Sequence, residues 1–351
     1  HEHPQAVGET FKQFIDHDKG LITVSDTKLD FTSVSRIHLV ACGTAYIACL
    51  IAKNWLNTFL NIPVEADFGS EFRYRTPQID KNTLCVFVSQ SGETADTLAS
   101  LKYSKKFTKK IFSIVNNIES SISRDSLQSF PIKAGPEIGV ASTKAFTCQL
   151  VVLFFLSLQI SRSKNLIDDK KINSLLNHLE GIPSMIVEIL NFEKKIIKIA
   201  KQLSLKKNAL FVGRGLCYPL SLEGALKLKE VSYIHAEGYA AGELKHGPIA
   251  LIDKEMPIIF LISYDDILNK VISNLEEVKA RGGKIIVIAD IRVKKYIPDG
   301  IWKSIYLPHF KSIFSPFLFS IPLQLIAYHT AVHKGTDVDQ PRNLAKSVTV
   351  E

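Results

Sequence analysis

The segment that follows the apolar run at residues 84–88 is rich in side chains that can bind an anion, and a helical pattern begins at residue 95. Its polar members are Ser89, Gln90, Ser91 and Thr94. A helix N-terminus offers unpaired backbone N–H groups and a partial positive charge, and Gly92 lets the backbone approach a ligand closely. The pattern predicts a phosphate site, without the Walker lysine of nucleoside triphosphate sites. The alternative is an ordinary helix start capped by Ser89 or Ser91.

A second group of candidate residues lies on the helical pattern at residues 220–233. Glu223, Lys227 and Glu230 share one narrow stripe of that helix, and leucine, alanine and valine cover most of the remaining surface. A helix that is apolar nearly all round is mostly buried. An acid beside a lysine in a partly desolvated site is suited to proton transfer. The alternative is a surface ladder of glutamate–lysine pairs.

Two further candidates are a histidine and a lysine. His246 follows several glycines, which predicts a loop, and the pKa of an unperturbed histidine suits an acid or a base. Lys346 lies in the polar C-terminal tail, residues 335–351. In a low-dielectric site a lysine loses its charge and becomes nucleophilic toward carbonyls. The alternatives are a bystander histidine and a frayed tail, although the tail carries apolar residues that could dock it: Val338, Leu344, Val348 and Val350.

The elements that must position these residues are predicted from continuous apolar runs. Six runs predict strands at residues 37–41, 84–88, 111–115, 209–212, 258–262 and 285–289. Strands that are apolar on both faces favour a parallel sheet covered by helices, and helical patterns follow most of these runs. Residues 38–46 resemble residues 210–218, with Gly43 matching Gly215. Two copies of one α/β unit therefore fill the chain.

Composition excludes several classes of protein. The chain has 351 residues, and 43 basic against 35 acidic residues give a net charge of +8. The excess lysines are scattered and accompany no nucleic-acid-binding motif, so no nucleic-acid partner is expected. No run reaches the roughly 18 apolar residues of a membrane span, so no membrane partner is expected. Five cysteines without zinc-site spacing predict free thiols in the cytoplasm.

Taken together, these motifs resemble the isomerase half of the glucosamine-6-phosphate synthase family, over essentially the whole chain. The resemblance rests on residues 41–44, 70–75, 89–97, 137–146, 223–230, 235–248 and 335–351. It implies an α/β fold with two tandem sugar-isomerase (SIS) subdomains, each a parallel sheet flanked by helices in a flavodoxin-like three-layer sandwich.

The resemblance also implies a division of the chain. Residues 1–20 would be an N-terminal segment left from an interdomain linker, and residues 21–163 would form the first SIS subdomain. Residues 164–205 would form a connecting helical segment. Residues 206–334 would form the second SIS subdomain, and the C-terminal tail would complete the active site.

The binding roles implied by the resemblance concern a hexose 6-phosphate. The side chains expected to hold its phosphate are Ser89, Gln90, Ser91 and Thr94. The residues expected to line the sugar pocket are Thr44, Val140, Ser142 and Ala345, with Ala345 near the entry for ammonia. The family often has serine where this chain has Ala45, which would remove one polar contact to the sugar.

The implied catalytic roles need no cofactor and no metal. Glu230 would move a proton between C1 and C2, and Lys227 would stabilise the developing enolate oxygen. His246, reaching in from the neighbouring subunit of a homodimer, would assist ring opening. Lys346 would form a Schiff base with the C2 carbonyl of the open-chain ketose, and Arg342 would help to fix the tail.

The expected activity follows from one departure from the family. The full enzyme has a glutaminase domain that releases ammonia, and nothing in this sequence matches it, so an excised isomerase domain is expected. Alone, the chain is expected to convert fructose 6-phosphate to glucose 6-phosphate. In the parent protein it would contribute to the synthesis of glucosamine 6-phosphate. The alternative is a non-catalytic sugar-phosphate sensor of the same fold.

Overall fold

The computed structural model describes residues 1–16, 21–22 and 29–350, and the predicted boundary after residue 20 lies outside the described residues. The helices are α1 (His3–Lys12), α2 (Gly43–Phe59), α3 (Gly69–Phe72), α4 (Ala95–Ser104), α5 (Ser121–Asp125), α6 (Lys144–Ser163), α7 (Asp169–Glu180), α8 (Ile182–Leu190), α9 (Glu193–Leu203), α10 (Cys217–Ser232), α11 (Leu268–Lys279) and α12 (Ser315–Lys334). The strands are β1 (Ile15–Asp16), β2 (Leu21–Ile22), β3 (Arg36–Ala41), β4 (Val64–Phe68), β5 (Thr83–Ser89), β6 (Ile111–Val115), β7 (Gln128–Pro131), β8 (Asn208–Gly213), β9 (His235–Ala240), β10 (Pro257–Ile262), β11 (Lys284–Asp290) and β12 (Lys303–Leu307).

The chain divides into two compact units. The N-terminal unit comprises Glu2–Glu137, Ser142–Pro183 and Ala345–Glu351. The C-terminal unit comprises Ile138–Ala141 and Ser184–Leu344, together with His1. Each unit therefore includes a short segment that lies far along the sequence from the rest of it, and both of these segments carry predicted site residues.

Each unit contains a five-stranded parallel sheet. The strand order is β4-β3-β5-β6-β7 in the N-terminal unit and β9-β8-β10-β11-β12 in the C-terminal unit. If the strands are numbered from one within each unit, both sheets have the order 2-1-3-4-5, which is the flavodoxin-like order. The predicted fold class and the internal repeat are therefore confirmed. In such sheets a ligand binds beyond the carboxyl ends of the first and third strands, where the strand order reverses.

The burial of β5 and β10 fits their central position in the two sheets. Every residue of β5 and of β10 is buried, as expected for central strands that helices cover on both faces. The turn after the first strand of each unit is also repeated, because Gly43 has a φ of +56° and Gly215 a φ of +59°. Glycine adopts this left-handed backbone without the steric cost that a Cβ brings.

Two helical stretches are long and apolar enough to cross a membrane by length and composition alone, namely Lys144–Ser163 and Ser312–Lys334. Their most apolar windows are 89% and 78% buried inside the protein. Such burial is typical of core helices, so these stretches are weak evidence for a membrane span.

Candidate active site

The predicted phosphate loop follows β5 at the carboxyl edge of the N-terminal sheet. The hydroxyl oxygen of Ser89 accepts a hydrogen bond from the N–H of Gly92 (3.0 Å) and lies 2.9 Å from the hydroxyl of Thr94. The hydroxyl of Ser91 accepts from the N–H of Glu93 (3.2 Å). Gly92 is buried with a φ of +71°. The two serines thus organise the loop itself, and Thr94, the N-cap residue of α4, makes no side-chain capping bond.

The start of α4 is instead bound by the C-terminal tail. The N–H of Ala95 donates to the carbonyl oxygen of Val348 (3.0 Å), and the hydroxyls of Ser91 and Ser347 are 3.1 Å apart. The capping alternative is therefore wrong. Apolar docking of the tail is wrong for three of its four apolar residues, because Leu344, Val348 and Val350 are 45%, 56% and 74% exposed, whereas Val338 is half-buried. The tail reaches the phosphate loop through its main chain and one hydroxyl.

Lys346 is held by a buried acid that the sequence analysis assigned no role. Its Nζ lies 3.0 Å from Oε2 of Glu137, whose side chain is only 4% exposed. The other carboxylate oxygen accepts from the N–H groups of Thr143 and Ala145, at the start of α6. Burial alone would raise the pKa of Glu137, but Lys346 and the two N–H groups outweigh it, so the pKa is lowered. The nearest signal in the sequence is the motif at residues 137–146.

The remaining predicted binding residues of this unit differ in exposure. Thr44 is buried in the first turn of α2, directly after the carboxyl end of β3. Gln90 is half-buried after β5, and its carbonyl accepts from the N–H of Asn116 (3.0 Å). Thr44 and Gln90 therefore flank the crevice where the strand order reverses. Ser142 is half-buried shortly before α6, and Ala345 is exposed beside Lys346.

In the C-terminal unit, α10 carries the predicted acid–lysine stripe. The side chains of Glu223 and Lys227 are 0% and 3% exposed, and that of Glu230 is 21% exposed. The Nζ of Lys227 lies 2.5 Å from Oε2 of Glu230 and 3.8 Å from Oε1 of Glu223. The predicted burial of this helix is confirmed, and the surface-ladder alternative is wrong. Glu230 therefore has a charge partner and is partly exposed, so a ligand can reach its carboxylate.

The first part of the C-terminal tail is tied to the end of the same helix. The N–H of Arg342 donates to the phenol oxygen of Tyr233 (2.9 Å), and its guanidinium lies 4.2 Å above the Tyr233 ring. Tyr233 ends α10 in the left-handed conformation. The N–H of Val140 donates to the carbonyl of Asp339 (2.9 Å), so the half-buried Val140 is bound to the tail as well.

The region around His246 differs from the predicted loop. Residues His235–Ala240 form β9, and Ala241–His246 form a short 3-10 helix, so the loop prediction is wrong for this part. The strand was missed because its glycine and polar residues give no continuous apolar run. The side chain of His246 is exposed at the end of the 3-10 helix, directly before Gly247 with a φ of +138°.

In the C-terminal unit, the turn that corresponds to the predicted phosphate loop carries two acids, Asp265 and Asp266. After β10, the carboxylate of Asp265 accepts from the N–H of Ile267 (3.1 Å), directly before α11. Burial raises the pKa of Asp265, and the charge of Asp266 raises it further. A carboxylate at this position takes the place of an anionic ligand and repels one. The loss of the hydroxyl pattern in the second copy thus fits one phosphate loop in each chain.

Comparison with known proteins identifies the class to which this fold and site belong. The family model of the SIS domain matches twice, at residues 30–158 and 202–334, and the chain belongs to that family. It is 49% identical over 350 residues to a glutamine–fructose-6-phosphate aminotransferase (isomerizing) of Brucella abortus, and 49% identical over 351 residues to that of Mesorhizobium japonicum. All of this chain is covered in both cases, but it spans 58% of the length of these relatives.

Solved structures show which part of such an aminotransferase the chain resembles. The C-terminal domain of glucosamine-fructose-6-phosphate aminotransferase from Francisella tularensis superposes with a TM-score of 0.94 and 45% identity, covering 97% of this chain and 96% of that domain. The resemblance inferred from the motifs is therefore confirmed. A glucosamine-6-phosphate deaminase from Thermotoga maritima has a TM-score of 0.77 at 20% identity and coverage of 99% and 97%, which shows a shared fold only.

Proposed function

We propose that this chain is the sugar-phosphate isomerase part of a glutamine–fructose-6-phosphate aminotransferase. In the whole protein it converts fructose 6-phosphate and ammonia to glucosamine 6-phosphate, and alone it converts fructose 6-phosphate to glucose 6-phosphate. The observation that carries the proposal is the docking of the tail on the phosphate loop. Ser347 contacts Ser91, and Val348 binds the first amide of α4, so the adjacent Lys346 is held in the unit that binds the phosphate.

The loop holds the phosphate, and the sugar is thereby fixed for reaction. Ser89, Gln90, Ser91 and Thr94 supply hydroxyl and amide donors beside the start of α4, where the helix dipole favours an anion. Anchoring one end of the substrate makes the chemistry at the other end effectively intramolecular. Thr44, Val140, Ser142 and Ala345 line the sugar pocket in this proposal.

Lys346 forms a Schiff base with the open-chain ketose. Its amine reacts in the neutral form, after loss of a proton to water, and the carboxylate of Glu137, 3.0 Å away, holds the lysine side chain in position. The neutral nitrogen attacks C2, the carbonyl oxygen leaves as water, and a carbon–nitrogen double bond remains. Ammonia from the glutaminase domain then replaces the lysine nitrogen at C2, entering near Ala345.

In this proposal the acid–lysine stripe on α10, formed by Glu223, Lys227 and Glu230, carries out the proton transfer. Glu230 removes a proton from C1 and returns it to C2, which converts a ketose skeleton to an aldose. Lys227 stabilises the negative charge that develops on oxygen, as a fixed cation in a water-poor site does. His246 from the partner subunit of a homodimer assists ring opening, and Arg342 keeps the tail in position. The five free cysteines support the cytoplasm as the location.

An isomerase assay tests the proposal and separates it from the sensor alternative. The purified chain is given fructose 6-phosphate, and glucose 6-phosphate is measured with a coupled dehydrogenase. Turnover, together with borohydride trapping of substrate on Lys346, supports the proposal. Binding of fructose 6-phosphate without turnover supports a sensor and overturns the isomerase, and turnover with an unmodified Lys346 removes the Schiff base.

A further inference from the structure

Strand pairing in the N-terminal unit brings together three possible metal ligands, none of which belongs to the predicted phosphate loop. The parallel register of β3 and β4 places His38 beside Glu65, and Asp67 lies two residues further along the same face of β4. Nδ1 of His38 is 3.7 Å from Oε2 of Glu65 and 3.8 Å from Oδ2 of Asp67. One ligand atom from each residue lies within 4.8 Å of the others.

The hydrogen bonding of His38 assigns a role to each ring nitrogen. The side chain is 0% exposed, and Nε2 lies 3.2 Å from the carbonyl oxygen of Gln78. A carbonyl only accepts, so Nε2 carries a proton, and the lone pair of a neutral ring is on Nδ1. In the described part of the chain Nδ1 makes no hydrogen bond. A buried ring nitrogen without a hydrogen bond is unfavourable, and a metal ion placed between it and the two carboxylates would satisfy it.

We propose that His38, Glu65 and Asp67 bind a divalent transition-metal ion of the Zn²⁺ class, with water completing its coordination. Metal-binding histidines typically donate their second N–H to a carbonyl or carboxylate, as His38 does to Gln78. Ligand atoms at about 2.1 Å from a tetrahedral ion are roughly 3.4 Å apart. The two distances from Nδ1 of His38, 3.7 and 3.8 Å, exceed this spacing by a few tenths of an ångström. The two carboxylate oxygens lie within 4.8 Å of each other, so rotation of the partly exposed Glu65 side chain is needed to close the site around the ion.

Arg75 competes with the metal for the same oxygens. Its Nη2 forms an ion pair with Oδ2 of Asp67 and lies 3.3 Å from Oε2 of Glu65, while Nδ1 of His38 keeps no hydrogen bond. Because the side chain of Arg75 is 48% exposed, it can move into solvent when the metal binds. Removal of the guanidinium should therefore strengthen metal binding, whereas removal of a ligand should weaken it.

Titration of the full chain with Zn²⁺, and with Co²⁺ followed by its visible absorption, tests the site. One ion per chain is expected, with the absorption of a four-coordinate site. Glu65→Gln, at a side chain 41% exposed, should weaken binding about 10-fold to 100-fold. Arg75→Gln should strengthen it several-fold. Glu119→Gln, at an exposed acid outside the cluster, is the matched control and should leave the affinity unchanged.

Two results would overturn the metal site. One is the absence of stoichiometric binding up to about 0.1 mM Zn²⁺, or an affinity that Glu65→Gln and Arg75→Gln leave unchanged. The other is a nitrogen NMR spectrum of metal-free and zinc-treated protein that shows His38 protonated on both nitrogens throughout, because a proton would then be the cation between the carboxylates. Both readouts are independent of isomerase activity.

Discussion

At the scale of single residues, the proposed proton transfer depends most directly on Glu230. Glu230→Gln keeps the shape of the side chain and a contact with Lys227 but removes the base. Turnover of fructose 6-phosphate should fall by about two to four orders of magnitude, which is the usual contribution of a positioned acid or base. Binding should be nearly unchanged, and the coupled assay together with calorimetry measures both quantities.

Glu276→Gln is the matched control for that substitution. Glu276 is an acid on the surface of α11 in the same unit, where it pairs with Lys279 (3.8 Å). Its variant should retain full turnover. A Glu230→Gln protein that turns over substrate at the rate of this control would remove Glu230 from the mechanism.

The ion pair between the buried Glu137 and the half-buried Lys346 predicts a pH-dependent stability. Because the folded-state pKa of Glu137 is lowered from 4.5, the pair stabilises the fold above that pH, and the contribution is lost as the pH falls through the lower folded-state value. Glu137→Gln should therefore reduce the free energy of unfolding by about 1–3 kcal/mol near neutral pH. The two proteins should converge in acid, and urea unfolding at both pH values checks this. An equal difference at both values would contradict the charge pair.

The same pair shows which kind of contact the sequence could not indicate, although Lys346 itself was a predicted site residue. Glu223, Lys227 and Glu230 were predicted to lie together because helical periodicity relates neighbours three and four residues apart. Glu137 and Lys346 are separated by 209 positions, and no local period connects them. The cluster of His38, Glu65 and Asp67 was not predicted for a related reason, because only the strand register brings these residues together.

At the scale of elements, the turn after β5 requires glycine at position 92. A Cβ on Gly92 would lie 2.0 Å from the hydroxyl oxygen of Ser120, and the φ of +71° is unfavourable for any side chain. Gly92→Ala should destabilise the fold by about 2–5 kcal/mol, from left-handed strain and overpacking together. Gly135→Ala is the matched control, because Gly135 has a φ of +66° and no atom within 4 Å of its Cβ position.

Thermal unfolding of the two alanine variants measures how much of the loss of stability comes from the contact with Ser120. The control should lose about 1–2 kcal/mol from backbone strain alone. If Gly92→Ala were no less stable than Gly135→Ala, the close packing of the phosphate loop against Ser120 would be refuted.

The strands found from the sequence and the strands missed differ in their position in the sheet. The six predicted strands became β3, β5 and β6 in one unit and β8, β10 and β11 in the other. Within the two five-stranded sheets, the missed strands β4, β7, β9 and β12 are the four edge strands, and the short pair β1 and β2 was missed as well. Edge strands have partly exposed faces and therefore carry polar residues, so they lack the continuous apolar run that a covered central strand shows.

At the scale of the whole molecule, two copies of one fold carry different sets of polar side chains. The first copy keeps the hydroxyl-rich loop after its third strand, and the second carries Asp265 and Asp266 there and the acid–lysine stripe on α10. Because the sheets share one strand order, this divergence resides in turns and helix faces rather than in the sheets. Duplication thus supplies two scaffolds from which different side chains can be presented.

The predicted homodimer can be tested by complementation, because His246 is proposed to serve the partner's substrate. His246 is exposed in its own chain, and His246→Asn and Glu230→Gln should each be nearly inactive alone. In a dimer of the two variants, one site would lack both groups and the other would be intact. Random mixing in equal amounts should therefore restore about a quarter of the wild-type turnover, since half of the dimers are mixed and each has one good site. Mixed dimers, isolated by means of two affinity tags, that are as inactive as their parents would place His246 in the site of its own chain.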